Sequence, residues 1–227
     1  MGSAGRGRAA QRGSRGVYNR GEGCGACEDE HRHAGGGCGV RTELHGPVSQ
    51  KGAETVVRLE SGEAAGVELR TYQPHYAREC AQLFYETVHR ACAGDYTPAQ
   101  LDAWAPARRD LALWNQSFLG HDSIIAVEQG RLAAFGDMLP DGYLDRLYVH
   151  WAFQRRGIAG ALCDCLEWNC AAPLLRVHAS RTARPFFEGR GYRLVRAQLV
   201  ERNGVLLENF VMEKHISPSY TKDRPIA

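Results

Sequence analysis

Leu147-Tyr-Val-His-Trp-Ala-Phe-Gln154-Arg-Arg-Gly157-Ile-Ala159-Gly160 decides how this chain is read. An apolar strand runs out, a basic loop follows, and a glycine opens a helix whose next residues are small. The first turn of a helix carries unpaired N–H groups and the positive end of the helix dipole. Gly157 permits close backbone approach, and Ala159 and Gly160 leave the helix start uncrowded. Arg155 and Arg156 add charge. The stretch reads as an anion cradle into which a phosphate or pyrophosphate fits. It reads equally as an ordinary strand-to-helix turn with surface arginines.

Elements of two periods flank the loop. Upstream, Val67–Tyr72 alternates as a strand, and His75–Ala93 reads as a helix that Gly94 stops. Thr97-Pro98 opens a second helix, and Ala107–Phe118 is a further helical stretch. Ser123–Glu128 and Arg131–Leu139 form a hairpin about Gln129-Gly130, and Tyr143–His150 is the next strand. Downstream come a helix over Gly157–Ala171, a strand over Leu174–Ala179 and a short helix over Thr182–Arg190. Tyr192–Arg202 and Val205–Glu213 pair through Asn203-Gly204, a strong hairpin signal. The chain is predicted to be mixed α/β, antiparallel at first, with a parallel crossover in the middle.

Gln154-x-x-Gly157-x-Ala159 after an apolar strand resembles the acetyl-CoA signature of the GCN5-related N-acetyltransferase (GNAT) superfamily. The resemblance continues at Leu147-Tyr-Val149, which looks like the family's fourth strand. Ala183-Arg-Pro-Phe-Phe187-Glu-Gly-Arg-Gly191-Tyr192 looks like its last helix and turn, and Asn209–Lys214 like its last strand. It covers about Val67 to His215. It implies a mixed sheet in which the fourth strand splays from the fifth, with coenzyme A inserted in the gap. Gln154, Arg155, Arg156, Gly157, Ile158, Ala159 and Gly160 would hold the pyrophosphate through backbone N–H groups. The backbone at Leu147 and Val149 would pair with pantetheine, and an N–H there would polarise the thioester carbonyl. The implied co-substrate is acetyl-CoA, with no metal. The implied acceptor is a small-molecule or peptide amine. One position departs from the pattern: Phe187 stands where the family often has a tyrosine acting as acid to the departing thiolate.

An amine with a pKa near 10 arrives as ammonium and must lose a proton before attack. Of the candidates near the splayed strands, His178 titrates near neutral pH and shares a strand face with Arg176 and Ser180. It is equally a half-exposed strand histidine. Asp145 and Tyr148 on the fourth strand are alternatives. Asp145 precedes Arg146 and can be its ion-pair partner; Tyr148 can reach the sulfur or be a packed aromatic. Tyr96, Trp104 and Trp114 lie in helices that cover the family's acceptor pocket, where they either shape the pocket or belong to the core. The leading function is acetyl transfer to a primary amine by direct attack on the thioester. The alternatives are a non-catalytic coenzyme A-binding or sensing module, and an O-acyl or longer-chain acyltransferase.

Composition frames this reading. The chain has 227 residues, 44% hydrophobic and 24% charged, with a net charge of +2, which gives no reason to expect a nucleic-acid partner. No apolar run is long enough to span a membrane. Eight cysteines at irregular spacing read as reduced thiols of a cytoplasmic protein. A homodimer is one assembly open to it. Of the 26 glycines, 16 fall between Met1 and Gly66, a stretch without Ile, Phe or Trp. Residues 1–66 are therefore predicted to be a disordered tail, 67–216 the acetyltransferase domain, and 217–227 a short C-terminal tail. The five arginines before Glu22 fit a transit peptide, but no apolar residues recur at helical spacing and no secretory h-region is present. Upstream sequence translated from too early a start is a third reading. Cys24, Cys27, His31, His33 and Cys38 have part of a zinc-ligand spacing, without a second ligand pair on a turn.

Overall fold

A single eight-stranded sheet organises the chain, in the order β1-β2-β3-β4-β5-β6-β8-β7. The computed structural model describes residues 55–59 and 64–216. The strands are β1 (Val56–Arg58), β2 (Val67–Thr71), β3 (Asp122–Glu128), β4 (Arg131–Met138), β5 (Tyr143–Val149), β6 (Leu174–Ala179), β7 (Arg193–Arg202) and β8 (Val205–His215). The helices are α1 (Ala77–Ala91), α2 (Pro98–Trp104), α3 (Leu111–Leu119), α4 (Ile158–Asn169) and α5 (Arg184–Gly189). All neighbouring strands pair antiparallel except β5 and β6.

Local chemistry explains the element ends. Thr97 and Gln100 form a reciprocal capping box, and Pro98 takes the first helical position of α2. Asp110 accepts from the N–H groups of Ala112 and Leu113, so α3 starts at Leu111 rather than at Ala107 as expected. Gln129-Gly130 and Asn203-Gly204 both place two residues at positive φ, the mirror-image turn whose twist suits a two-residue hairpin.

The sheet separates two apolar layers. On one face α4 and α5 pack through Ile158, Leu162, Leu166 and Phe187 onto Leu144, Leu147, Val149, Leu175 and Val177. On the other, α1 to α3 pack through Leu83, Phe84, Val88, Trp114 and Phe118 onto Ile125, Phe135 and Tyr148.

The start of the domain differs from expectation. Val56–Arg58 pairs with Glu68–Arg70, and Leu59 and Ala64 are buried in the α4-side core. The sheet therefore begins inside the stretch predicted to be a tail. Val56, Val57 and Leu59 supply apolar groups that the glycine-rich average of the stretch concealed. The rest of that tail, its cysteine and histidine cluster and the tail at 217–227 lie outside the described residues.

Candidate active site

The parallel pair is a fork. Its closed end is pinned where the Arg176 N–H donates to the Gly142 carbonyl at 2.9 Å. Only Tyr143↔Arg176 and Leu144↔Val177 are in register, while β5 runs on to Val149 and β6 to Ala179. Gly142 makes the pin possible. It holds φ +86°, and a Cβ there would strike the Leu174 carbonyl oxygen.

The signature loop lies beyond the open end of β5. His150 accepts from the Ala152 N–H and starts a helical turn over Trp151–Phe153. Arg155 and Gly157 then take φ of +57° and +70° before α4 begins. Left-handed residues around a helix start turn successive N–H groups to one side, an anion-binding concavity. The Gln154 amide donates to the Val149 carbonyl at 3.2 Å, and the buried Thr87 hydroxyl donates to the same oxygen at 3.3 Å. That carbonyl is thus occupied by the protein. Arg155 is exposed at the loop surface. Arg156 is not a loose cation as the sequence suggested: it makes two hydrogen bonds to Glu128 on β3, which fastens the loop to the sheet and neutralises the charge. Ile158 is buried beneath the cradle, and Ala159 and Gly160 continue the first turn.

Asp145 and His178 follow the last paired rung, one on each arm of the fork. Leu175, Val177 and Ala179 point into the α4-side core, so Arg176, His178 and Ser180 face the α1–α3 side. His178 is half-buried, its ring lies edge-on to Tyr143 at 5.1 Å, and its buried Nδ1 has no hydrogen-bond partner. Burial, then the charges of Arg196, Arg176 and Arg202, lower its pKa from 6.5. The ring is therefore neutral at pH 7, the form that can accept a proton.

Asp145 adjoins a buried charge network. The Arg146 guanidinium, with a side chain 1% exposed, donates to both Asp137 oxygens at 2.7 and 2.6 Å and to the Ser117 hydroxyl at 2.9 Å. It stacks 3.8 Å over Phe118 and lies 3.6 Å from Asp145. Burial alone would raise the Asp137 carboxyl, but Arg146 and His121 hold it below the usual carboxylate range. His121, Asp137 and Asp145 bring potential metal ligands within 4.8 Å of one another, but Arg146 already supplies a positive charge there.

The remaining candidates divide differently. Tyr148 is fully buried between Phe84 and Phe135, the setting of a packed aromatic. Tyr96 donates its hydroxyl to the Glu208 carbonyl and accepts from the Arg181 N–H, clamping the segment between α1 and α2 onto β8. Trp104 packs against Tyr96 in the core. Trp114 is buried under the guanidinium groups of Arg109 and Arg146, and its Nε1 has no hydrogen-bond partner. The Ser180 hydroxyl accepts from the Ala183 N–H at the start of α5. Phe187 is buried against Phe186 and Tyr192. Sequence reading missed the Arg146–Asp137–His121 network and the arginines of β7 around His178. Their pairings cross strands, and the bulge at Val195 conceals the spacing of the β7 arginines.

The family model described as an acetyltransferase (GNAT) domain matches residues 92–214. The uncharacterized N-acetyltransferase YafP of Escherichia coli (strain K12) is 32% identical over 146 residues, 64% of this chain and 94% of that protein. The crystal structure of a GCN5-related N-acetyltransferase from Rhodopseudomonas palustris superposes with a TM-score of 0.63 at 35% identity, covering 65% of this chain and 94% of that one. The PaiA N-acetyltransferase of Thermoplasma acidophilum, solved in complex with coenzyme A, shares the fold at 17% identity and a TM-score of 0.52, over 66% and 99% of the two chains. The chain belongs to the GNAT superfamily of N-acetyltransferases.

Proposed function

We propose that this enzyme transfers the acetyl group of acetyl-CoA to a primary amine by direct attack of the amine on the thioester. The observation that carries the reading is the fork between β5 and β6, with the Gln154–Gly160 cradle beyond its open end. Pantetheine would lie along β5 with its pyrophosphate on the N–H groups of the loop and of the first turn of α4. The Val149 N–H would polarise the thioester carbonyl. His178 takes the proton from the substrate ammonium, directly or through one water. The amine lone pair then attacks the carbonyl carbon, the oxyanion collapses, and the C–S bond breaks to release the coenzyme A thiolate, while the second proton of the attacking nitrogen passes to water or to the departing thiolate to leave the neutral amide. Phe187 has no proton to give, so the thiolate leaves as such or takes a proton from the medium; its pKa near 8.5 makes it an adequate leaving group. Asp145 follows the last paired rung on the other arm of the fork and is the alternative base. Cys80, Cys163 and Cys165 are buried free thiols, which supports a reducing compartment such as the cytoplasm.

Phe187 also favours a second reading, a coenzyme-binding module without turnover. Release of free thiol from acetyl-CoA over a panel of amines decides between the two: transfer requires amine-dependent release, and a sensing module gives none. Coenzyme binding itself is tested at Gly157. Gly157→Val adds a side chain in the cradle and strains a left-handed backbone, and should weaken coenzyme A at least tenfold in calorimetry, about 1.4 kcal/mol. Unchanged affinity with an unchanged circular-dichroism spectrum would remove the pyrophosphate from this loop.

A further inference from the structure

We propose that the acetyl acceptor is an amine that also carries an anionic group, a carboxylate or a phosphate, bound by Arg196 and Arg202 of β7. The inference rests on the acetyl-transfer reading and names the substrate class. Register places the residues. His178 of β6 lies opposite Val211 of β8, which lies opposite Arg196 of β7. Directly opposed residues share a sheet face, so His178 and Arg196 stand in one row on the α1–α3 side. The adjoining row is Arg176, Glu213 and Arg193, in which Glu213 is engaged by Arg176 at 2.8 Å. The other adjoining row holds Asn209 opposite Gln198. Arg202 lies six residues further along β7 in unbroken register, on the same sheet face as Arg196. The hairpin tip is docked onto α2, where the Asn203 amide donates to the Ala103 carbonyl at 3.2 Å.

The face thus gathers positive charge without matching acids. Arg196 donates only to the neutral Gln198, and neither Arg196 nor Arg202 meets a carboxylate among the described residues. Beside these cations are two polar atoms that the fold leaves unsatisfied. Asn209, 7% exposed, has a buried Oδ1 without a hydrogen-bond partner, and the Nδ1 of His178 is buried in the same way. Unpaired buried acceptors are costly unless a ligand supplies N–H groups. An amine offers those donors to His178 and Asn209, and unpaired guanidinium groups suit an anion two strands away. Two strand spacings are about 9.5 Å, a distance that an arginine side chain and a small amino acid or aminoalkyl phosphate together can span.

The test uses the full chain, acetyl-CoA and four matched amines: β-alanine, β-alaninamide, phosphoethanolamine and 1,3-diaminopropane. Values of kcat/KM are compared per unit of free amine. β-Alanine or phosphoethanolamine should exceed the amide and the diamine at least tenfold, and whichever leads identifies the anion. Arg196 and Arg202 lie on the outer strand, Arg196 exposed and Arg202 half-buried, and neither side chain is part of an apolar cluster. Arg196→Gln and Arg202→Gln should each reduce that anionic-to-neutral ratio at least fivefold. Equal use of neutral and anionic amines, preference for the diamine, or a ratio unchanged in both variants overturns the proposal. If no amine of any charge is acetylated while coenzyme A still binds, the transfer reading fails, and this inference with it.

Discussion

His178 combines position and protonation state in one side chain. Burial and three nearby guanidinium groups disfavour its charged form, so its pKa lies below the ordinary 6.5. The acidic limb of the kcat/KM profile should therefore fall below pH 6.5, with full activity above it. Removing one positive charge relieves the imidazolium and raises the pKa. Arg196→Gln should shift the limb to higher pH, measured with whichever amine reacts. His178→Ala should lower kcat at least about 10²-fold with coenzyme affinity retained. A stable, coenzyme-binding variant that keeps near wild-type turnover would transfer the role to Asp145. The identity of these residues is legible in the sequence, but their surroundings are not. Arg196 is eighteen residues from His178 along the chain, and only the β6–β8–β7 order, with a bulge between Leu194 and Arg196, sets them in one row. Arg156 shows the converse. Its charge is visible in the sequence, whereas its partner, Glu128, belongs to a strand 28 residues earlier.

Among the elements, the parallel β5–β6 pair depends on the turn that precedes it. Gly142 sits at positive φ against the Leu174 carbonyl and accepts the hydrogen bond that closes the fork. Gly142→Ala should cost at least about 1–3 kcal/mol from the backbone conformation alone, with the steric collision added. In a urea melt the midpoint should fall, and the KM for acetyl-CoA should rise because the arms no longer diverge from a fixed point. A midpoint and a KM matching wild type would show that the turn is not the pin. Most elements were legible because period and turn chemistry agree: Thr97-Pro98 for α2, Asn203-Gly204 for β7–β8, alternation for β3 and β4. The start of α3 was misplaced because Asp110 acts through its side chain on two backbone N–H groups, which a count of apolar spacing does not register. Strand β1 was missed because three residues give no period, and its stability comes from pairing with β2.

At the scale of the molecule, the sheet has an edge that the sequence did not announce. β1 pairs over three residues, and Leu59 enters the α4-side core. A chain beginning at Thr55 should melt with the full-length protein. One beginning at Val67 loses the strand and the buried leucine and should melt several degrees lower, as the removal of a buried Leu side chain is worth about 2–5 kcal/mol. Equal melting temperatures would reduce β1 to a passive edge. The chain beginning at Thr55 has one more property. It retains five cysteines, two of them (Cys80 and Cys92) in the helical layer of α1 and three (Cys163, Cys165 and Cys170) in the layer of α4. Burial pushes the Cys163 and Cys165 thiols up to about 12, and the Cys80 thiol higher than its ordinary value as well. Such thiols stay inert to alkylating reagents until the backbone around them opens. The native protein thus carries its own reporters on both sides of the sheet. Pulse alkylation read by mass spectrometry would time the opening of each layer separately, with no residue replaced.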